Sequence, residues 1–387
     1  MPIQPNKLLL FGLAIIPFFV WFAPGFDTRV PKENLAIMLA LAISAIQITF
    51  TGIKPISNKW FTYLIPFLFL SLLMSPMGHV FIGSEDVNGF WNYKPTMYAI
   101  IYFMLLVSVA SMSIERIKVF KYVSTAGVVM SVIVILQWLG FDQFFHVKPL
   151  DAIGHVPNAN LTGTLGQPTV CAAFLAMCLP FALRLKNYLA AGFIFVTILL
   201  LRSDMATISS VFASTFYLFY NNKFILMALC GSILTIVALF LVLYCENSLI
   251  RNKLVNDGGR WAIWVDIMKE VKENNSITGH GLGSFKYMYS IVKKSPWAQA
   301  HNEYLQMAYS IGLIGLGLFL LAAFDVLKAS RFFISNEDVR ALLSSVSASF
   351  ITAFGSFNWQ LGAHTFYTVV FIGLIYNITK ESQCETK

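Results

Sequence analysis

Twelve stretches of roughly 15–24 residues, almost free of charge, alternate with more polar segments along the whole chain. They fall near 7–23, 35–52, 60–75, 96–113, 118–139, 168–183, 187–201, 206–220, 223–245, 304–327, 339–356 and 362–379. A helix needs about 20 apolar residues to cross the hydrocarbon core of a bilayer. Inside that core only helices and closed barrels satisfy their own backbone hydrogen bonds. These blocks have the length and apolarity of membrane-crossing helices and read as such. Composition agrees: 57% of the 387 residues are hydrophobic and 12% charged, against about 25% charged in soluble domains. The expected fold is therefore an all-α polytopic membrane protein with about twelve transmembrane helices.

Lysine and arginine set the expected orientation, because short cytoplasmic segments retain positive charge. With the N-terminus inside, fourteen cations fall on the cytoplasmic side, among them Lys7, Arg116, Arg184, Lys328, Arg331, Arg340 and Lys380. Five fall in short outer segments: Arg29, Lys32, Lys94, Lys148 and Arg202. The remaining eight lie in one long outer loop, 246–303, which the rule exempts. Both termini are placed in the cytoplasm. The net charge of +8 is thus explained by the positive-inside bias, and nucleic-acid binding is set aside. The first apolar run continues into "FVWFAPG" without a small-residue cleavage site, as an uncleaved anchor would. Of five cysteines, Cys171, Cys178, Cys230 and Cys245 fall inside spans and Cys384 in the tail, so no disulfide framework follows.

The expected organisation is a bundle of about nine spans over 1–245, the loop 246–303, and about three spans with a tail over 304–387. Three outer segments are long (76–95, 140–167 and 246–303) whereas every inner connection is short. Chemistry is therefore expected on the outer face. In the long loop, "GRWAIWVDIMKEVKE" has helical periodicity: Trp261, Trp264, Val265, Met268 and Val271 form one face, Asp266, Lys269, Glu270 and Glu273 the other. Such a helix would lie along the bilayer surface or cover a cavity. The "TGHGLGSF" that follows lacks a Lys-Ser/Thr pair and a preceding strand, so it reads as a tight turn rather than a nucleotide loop. After it, His301-Asn302-Glu303 stands at the doorstep of the tenth span. An interfacial histidine bonded to headgroups is one reading of His301, and a solvated helix end is one reading of Glu303.

The residues beyond His301 carry a resemblance. His301-Asn302, nine residues, Gly312, two residues and Gly315 fit the signature of the O-antigen ligase superfamily. That superfamily comprises O-antigen ligases, O-antigen polymerases and bacterial protein O-oligosaccharyltransferases. "GRWAIW" is similar to the Gly-Arg-x-x-x-Trp segment of its large periplasmic loop, and "GHGLGSF" to the glycine-rich turn after it. "GTLGQPTV" resembles a segment that usually reads Gly-Gln/Asn-Pro-Asn, with Thr169 in the place of Asn. Arg202-Ser203 inverts a Ser-Arg pair that the family tends to carry near the outer end of a middle span.

The resemblance implies a multi-pass protein of the bacterial inner membrane with a periplasmic active site. It implies transfer of a glycan from a polyprenyl-diphosphate carrier to an acceptor hydroxyl, with no metal and no cofactor. The acceptor would be lipid A-core in a ligase, a second lipid-linked glycan in a polymerase, or a protein hydroxyl in an oligosaccharyltransferase; the histidine signature leans to ligase. His301 would serve as the base, since imidazole accepts protons near neutral pH. Arg260 and Arg202 would bind the diphosphate, because a guanidinium forks onto phosphate oxygens. Asn302, Glu303 and Gln167 would support them. For Arg202, snorkelling to headgroups is the simpler alternative. The competing class is a transporter or flippase, for which internal repeats and a midplane chain of charges would be expected; neither is visible in the sequence.

Overall fold

The computed structural model describes residues 4–19, 29–52, 63–74, 90–141, 161–221, 260–273, 277–285 and 299–385. Among them there are twelve α-helices and no strand. We label the helices in chain order: α1 Pro5–Ile15, α2 Arg29–Ile46, α3 Leu64–Met74, α4 Phe90–Ser111, α5 Arg116–Trp138 and α6 Pro168–Arg184. There follow α7 Tyr188–Leu200, α8 Asp204–Phe219, α9 Arg260–Glu273, α10 Glu303–Ser330, α11 Glu337–Thr352 and α12 Gly362–Glu385. Eleven of the twelve expected spans meet one of these helices. The span expected at 223–245 lies outside the described residues, as does most of the loop 246–303.

Among the described residues, three helical stretches are long and apolar enough to cross a membrane: Val30–Thr51, Arg116–Trp138 and Glu303–Phe333. Four more apolar helices are shorter: Pro5–Phe18, Pro95–Ser111, Pro168–Arg184 and Tyr188–Leu200. The second helix starts earlier than expected. Lys32, expected in the short outer segment between the first two spans, lies inside α2, buried, with its Nζ donating to the Thr164 carbonyl at 2.7 Å. That long-range bond reaches a cation that the sequence pattern alone leaves in solvent.

One apolar core joins the two ends of the chain, from Leu9 on α1 to Ile378 on α12. α11 packs between α6 and α8, and α12 against α4 and α2. The buried side of α11 is small and hydroxylated (Ala341, Ser344, Ser345, Ala348 and Ser349), which lets helices approach closely. Its hydroxyls bond across the interface: Ser345 donates to the Met177 carbonyl at 2.7 Å, and Ser209 on α8 donates to the Ala348 carbonyl at 3.1 Å.

α11 separates two chemically different ends of the bundle. At its start Arg184 pairs with Asp338 at 2.7 Å and Glu337 at 3.0 Å, and Arg116 lies 3.9 Å from Asp338. Arg340 stacks over Tyr220 at 3.9 Å. Three arginines that the charge count assigns to one side of the membrane therefore meet at one end. At the other end of α11, about 24 Å away along its 16 residues, Ala353 accepts a hydrogen bond from the Glu303 amide at 3.0 Å. That end holds His301.

α10 is two segments. Gly312 has φ 68° and ψ −178°, which no helix contains. The break frees the Tyr309 and Ser310 carbonyls and the Ile314 amide, and the glycine-rich turn takes all three. His280 and Gly281 donate backbone N–H groups to Tyr309 and Ser310 at 3.1 and 2.6 Å, while Ile314 donates to the Ile277 carbonyl at 3.3 Å. Three backbone groups at the break are thereby paired, as an interrupted helix in an apolar setting favours.

Candidate functional site

Asn302 starts α10. Its backbone is extended, and its side-chain oxygen accepts from the amides of Tyr304 and Leu305, both at 3.1 Å. This is the capping role for which Asn is suited. The residue before the cap, His301, is held at φ 51°, a left-handed conformation in which histidine is among the better tolerated side chains. That turn of the backbone directs the imidazole inward. His301 is 4% exposed, and its ring meets Phe357 edge-on at 5.1 Å. Burial first, and the positive charge of Arg260 second, lower its pKa from 6.5 to about 3. The imidazole is therefore neutral throughout the physiological range.

Glu303 departs from its expected place on a solvated helix end: it is 6% exposed. Its carboxylate accepts from the Trp359 amide at 2.9 Å and from Gln360 Nε2 at 3.2 Å. A carboxylate in the first turn also complements the helix dipole. Tyr304 adds a further tie, donating its hydroxyl to the Phe350 carbonyl at 2.8 Å. The start of α10 is thus clamped to the end of α11 and to the turn that follows it.

Arg260 opens α9 and is half-buried. Its Nη1 donates a long bond to the Gly355 carbonyl at 3.5 Å. The face of α9 differs from the expected one. Ile263 and Ile267 are buried with Phe285, Ala300 and Tyr309, flanked by Trp264, Val271 and Leu305, while Met268 is exposed. Apolar residues occupy more than half of this helix's circumference, so the neighbours, not the pattern, decide which stripe turns inward. Trp264 fixes the register by donating its indole N–H to the Ala300 carbonyl at 2.8 Å, one residue before His301. α9 therefore packs on the first turns of α10, which brings Arg260 to His301.

Arg202 lies on the turn between α7 and α8, exposed, at φ 52°. Met205, three residues on, packs on Gly355: a Cβ at Gly355 would lie 2.5 Å from its Cγ. The turn between α11 and α12 is thus where these contacts converge. Arg260 and Met205 both reach Gly355, Phe357 meets His301, and Trp359 and Gln360 meet Glu303. Sequence reading passed over this turn. Its signal was a polar and aromatic run, Ser356-Phe357-Asn358-Trp359-Gln360, between two apolar spans. Gln167 stands apart: it precedes α6, whose next turn meets α12 through His364 Nε2 and the Val170 carbonyl at 3.1 Å.

No curated protein matches the chain. The O-antigen ligase family model matches residues 189–320, a stretch that includes Arg202, Arg260, His301 and both signature glycines but not Gln167. Over those residues the chain is similar to the O-antigen ligase family, and its long apolar helices are those of a membrane protein.

Proposed function

We propose that this protein transfers an oligosaccharide or polysaccharide from a polyprenyl-diphosphate carrier to an acceptor hydroxyl, in the manner of an O-antigen ligase. One observation carries the reading: a buried, neutral imidazole, His301, sits within the field of a guanidinium, Arg260. In the reaction the acceptor oxygen bonds to the anomeric carbon as the bond from that carbon to the phosphate oxygen breaks. The electron pair leaves with the diphosphate, and the acceptor proton passes to His301. Arg260 takes the developing phosphate charge, with Arg202 as a second ligand; fixed charges in a partly dry site stabilise such charge strongly. A pKa of about 3 describes the site without donor. A bound diphosphate opposes the charge of Arg260 and raises the basicity of His301 when the base is needed. Asn302 and Glu303 hold the backbone that aims the imidazole.

The site lies on the periplasmic side of the bacterial inner membrane, within the loop 246–303, and both termini are cytoplasmic; the distribution of lysine and arginine supports that orientation. The test uses purified protein, a polyprenyl-diphosphate glycan, and each acceptor in turn: lipid A-core, a second lipid-linked glycan, or a protein. Product with lipid A-core, formed without ATP and in the presence of EDTA, is expected. Loss on chelation with recovery by one added ion would move the protein to another mechanistic class. Product with only one of the other acceptors would make it a polymerase or an oligosaccharyltransferase.

A further inference from the structure

Tyr309 is where α9, α10 and the glycine-rich turn meet, and His280 is the residue that fastens the turn there. The break at Gly312 frees the Tyr309 carbonyl, which then accepts twice from one residue. The His280 backbone N–H donates to it at 3.1 Å, and the ring Nδ1, also at 3.1 Å, donates as well. A carbonyl has two lone pairs, so both bonds form at once. The same imidazole, half-buried, lies on the Tyr309 ring, with centroids 4.5 Å apart and planes 19° from parallel. Phe285, at the far end of the turn, meets that ring edge-on at 5.3 Å. Tyr309 is buried, and Ile263 and Ile267 of α9 belong to the same apolar cluster.

His280 has no part in the proposed chemistry, yet its contacts tie together the two elements that carry it. His301 stands just ahead of α10, whose first segment holds Tyr309; Arg260 opens α9, and the turn follows shortly after α9 ends at Glu273. Near its start, α9 is held by the bond from Trp264 to Ala300. The turn, locked on Tyr309, holds the chain beyond its other end. Leverage makes that second hold matter. A helix of 14 residues is about 21 Å long, so a tilt of about 5° displaces one end against the other by about 2 Å. Misplacement by about 1 Å can cost a reaction 10²-fold. We infer that His280 is a positioning residue: by holding the glycine-rich turn on Tyr309 it fixes α9, and with it Arg260, relative to His301. The consequence for transfer rests on the transferase reading; the tie itself does not.

The test uses the full chain in phospholipid nanodiscs and three substitutions. His280→Ala removes both side-chain contacts, His280→Asn keeps a donor where Nδ1 stands, and His280→Phe keeps a ring over Tyr309. Amide hydrogen exchange reads local opening. In His280→Ala, exchange should quicken at least ten-fold in the turn and in α9 while α5 and α6 exchange as in the parent. At least one of the other two variants should restore it. Turnover with a polyprenyl-diphosphate glycan should fall at least ten-fold in His280→Ala and recover with the exchange. Donor affinity should change less than three-fold, since a loosened guanidinium still reaches the diphosphate. In an Arg260→Ala background, His280→Ala should cost less than three-fold further, because the residue through which it acts is already gone. Unchanged exchange in α9, recovery in neither conservative variant, or losses that multiply in the double variant would each overturn the inference. Faster exchange of α9 in His280→Ala, in a chain whose parent transfers nothing to any acceptor, would support the tie and reject the transferase reading alone.

Discussion

Gly279 and Gly312 meet backbone to backbone, and neither has room for a side chain. A Cβ at Gly279 would run into the Gly312 amide, and one at Gly312 into the Ile277 carbonyl. Both have positive φ, 72° and 68°. The second glycine of the histidine signature, Gly315, has a Cβ position blocked by Ile311 at 2.6 Å. The spacing between His301 and Gly312 therefore measures the distance from the cap of α10 to the break that receives the glycine-rich turn.

Gly312→Ala should damage the site from a distance. Its φ of 68° with ψ −178° is a conformation essentially restricted to glycine, costing another residue about 1–3 kcal/mol, and the collision with the Ile277 backbone adds to that. The turn carrying His280 and Gly281 would leave the break, exposing the Tyr309 and Ser310 carbonyls. We expect a lower Tm and at least a ten-fold loss of transfer. Gly317→Ala serves as the control, because nothing lies near its Cβ position; that variant should match the parent in both measurements.

His301 is buried and left-handed, so alanine would perturb the backbone as well as remove the imidazole. Asparagine tolerates that backbone conformation better. His301→Asn is expected to express and insert like the parent and to lose turnover by about 10²–10⁴-fold, the usual contribution of a positioned general base. Retained turnover in His301→Asn would end the assignment of His301 as base.

The low pKa of His301 also predicts how stability varies with pH. Its value falls from 6.5 to about 3 on folding, so between those limits the unfolded chain binds the extra proton. Stability must then rise with pH across that window. The contribution is fully present above pH 6.5 and is lost as pH falls toward 3. Thermal melts at several pH values should show the parent losing Tm more steeply than His301→Asn on acidification from pH 7 to pH 4. Parallel curves for the two proteins would show that His301 does not titrate in that way.

How much of this was visible beforehand varies with the range of the interactions involved. Helices such as α5 and α10 announce themselves, because crossing an apolar phase imposes a long uncharged run. The cap at Asn302 and the break at Gly312 were also marked, as residues of the family signature, although the signature does not say what enters the break. Glu303 was misjudged: its partners, Trp359 and Gln360, stand 56 and 57 residues further on, beyond the reach of any local pattern. Lys32 was misplaced for the same reason, its partner Thr164 lying 132 residues away. The buried stripe of α9 depended on which neighbours it met. Periodicity identifies a helix, whereas the partners of a buried charge emerge only with tertiary packing.

Glu303→Ala follows from the burial just described. It would leave the Trp359 amide and Gln360 without their acceptor, and hydrogen bonds to a charged group contribute about 1.5–3 kcal/mol each. Both a lower Tm and reduced transfer are expected, since the clamp between α10 and the α11–α12 turn is loosened. Glu303→Gln keeps one acceptor oxygen and should fall between parent and alanine variant. If Glu303→Ala melts like the parent, the carboxylate does not hold this turn.

Arg260 provides the sharpest test of the proposed chemistry. It opens α9, where backbone N–H groups and the dipole favour an anion and disfavour a cation. Its bond to Gly355 is long, at 3.5 Å, and offsets little of that disadvantage. A diphosphate held between the guanidinium and the start of α9 would explain the placement, because it bonds to both. Arg260→Lys retains the charge but offers a point donor where a planar fork is needed. It should lose most of its turnover, and Arg260→Ala should lose more and also bind the lipid-diphosphate donor less tightly. Tm should change little in either, since the Gly355 bond is weak and the buried face of α9 is formed by Ile263 and Ile267. Turnover and donor affinity are to be measured with purified lipid-linked donor. If Arg260→Lys and Arg260→Ala both match the parent in turnover and affinity, the diphosphate is bound elsewhere.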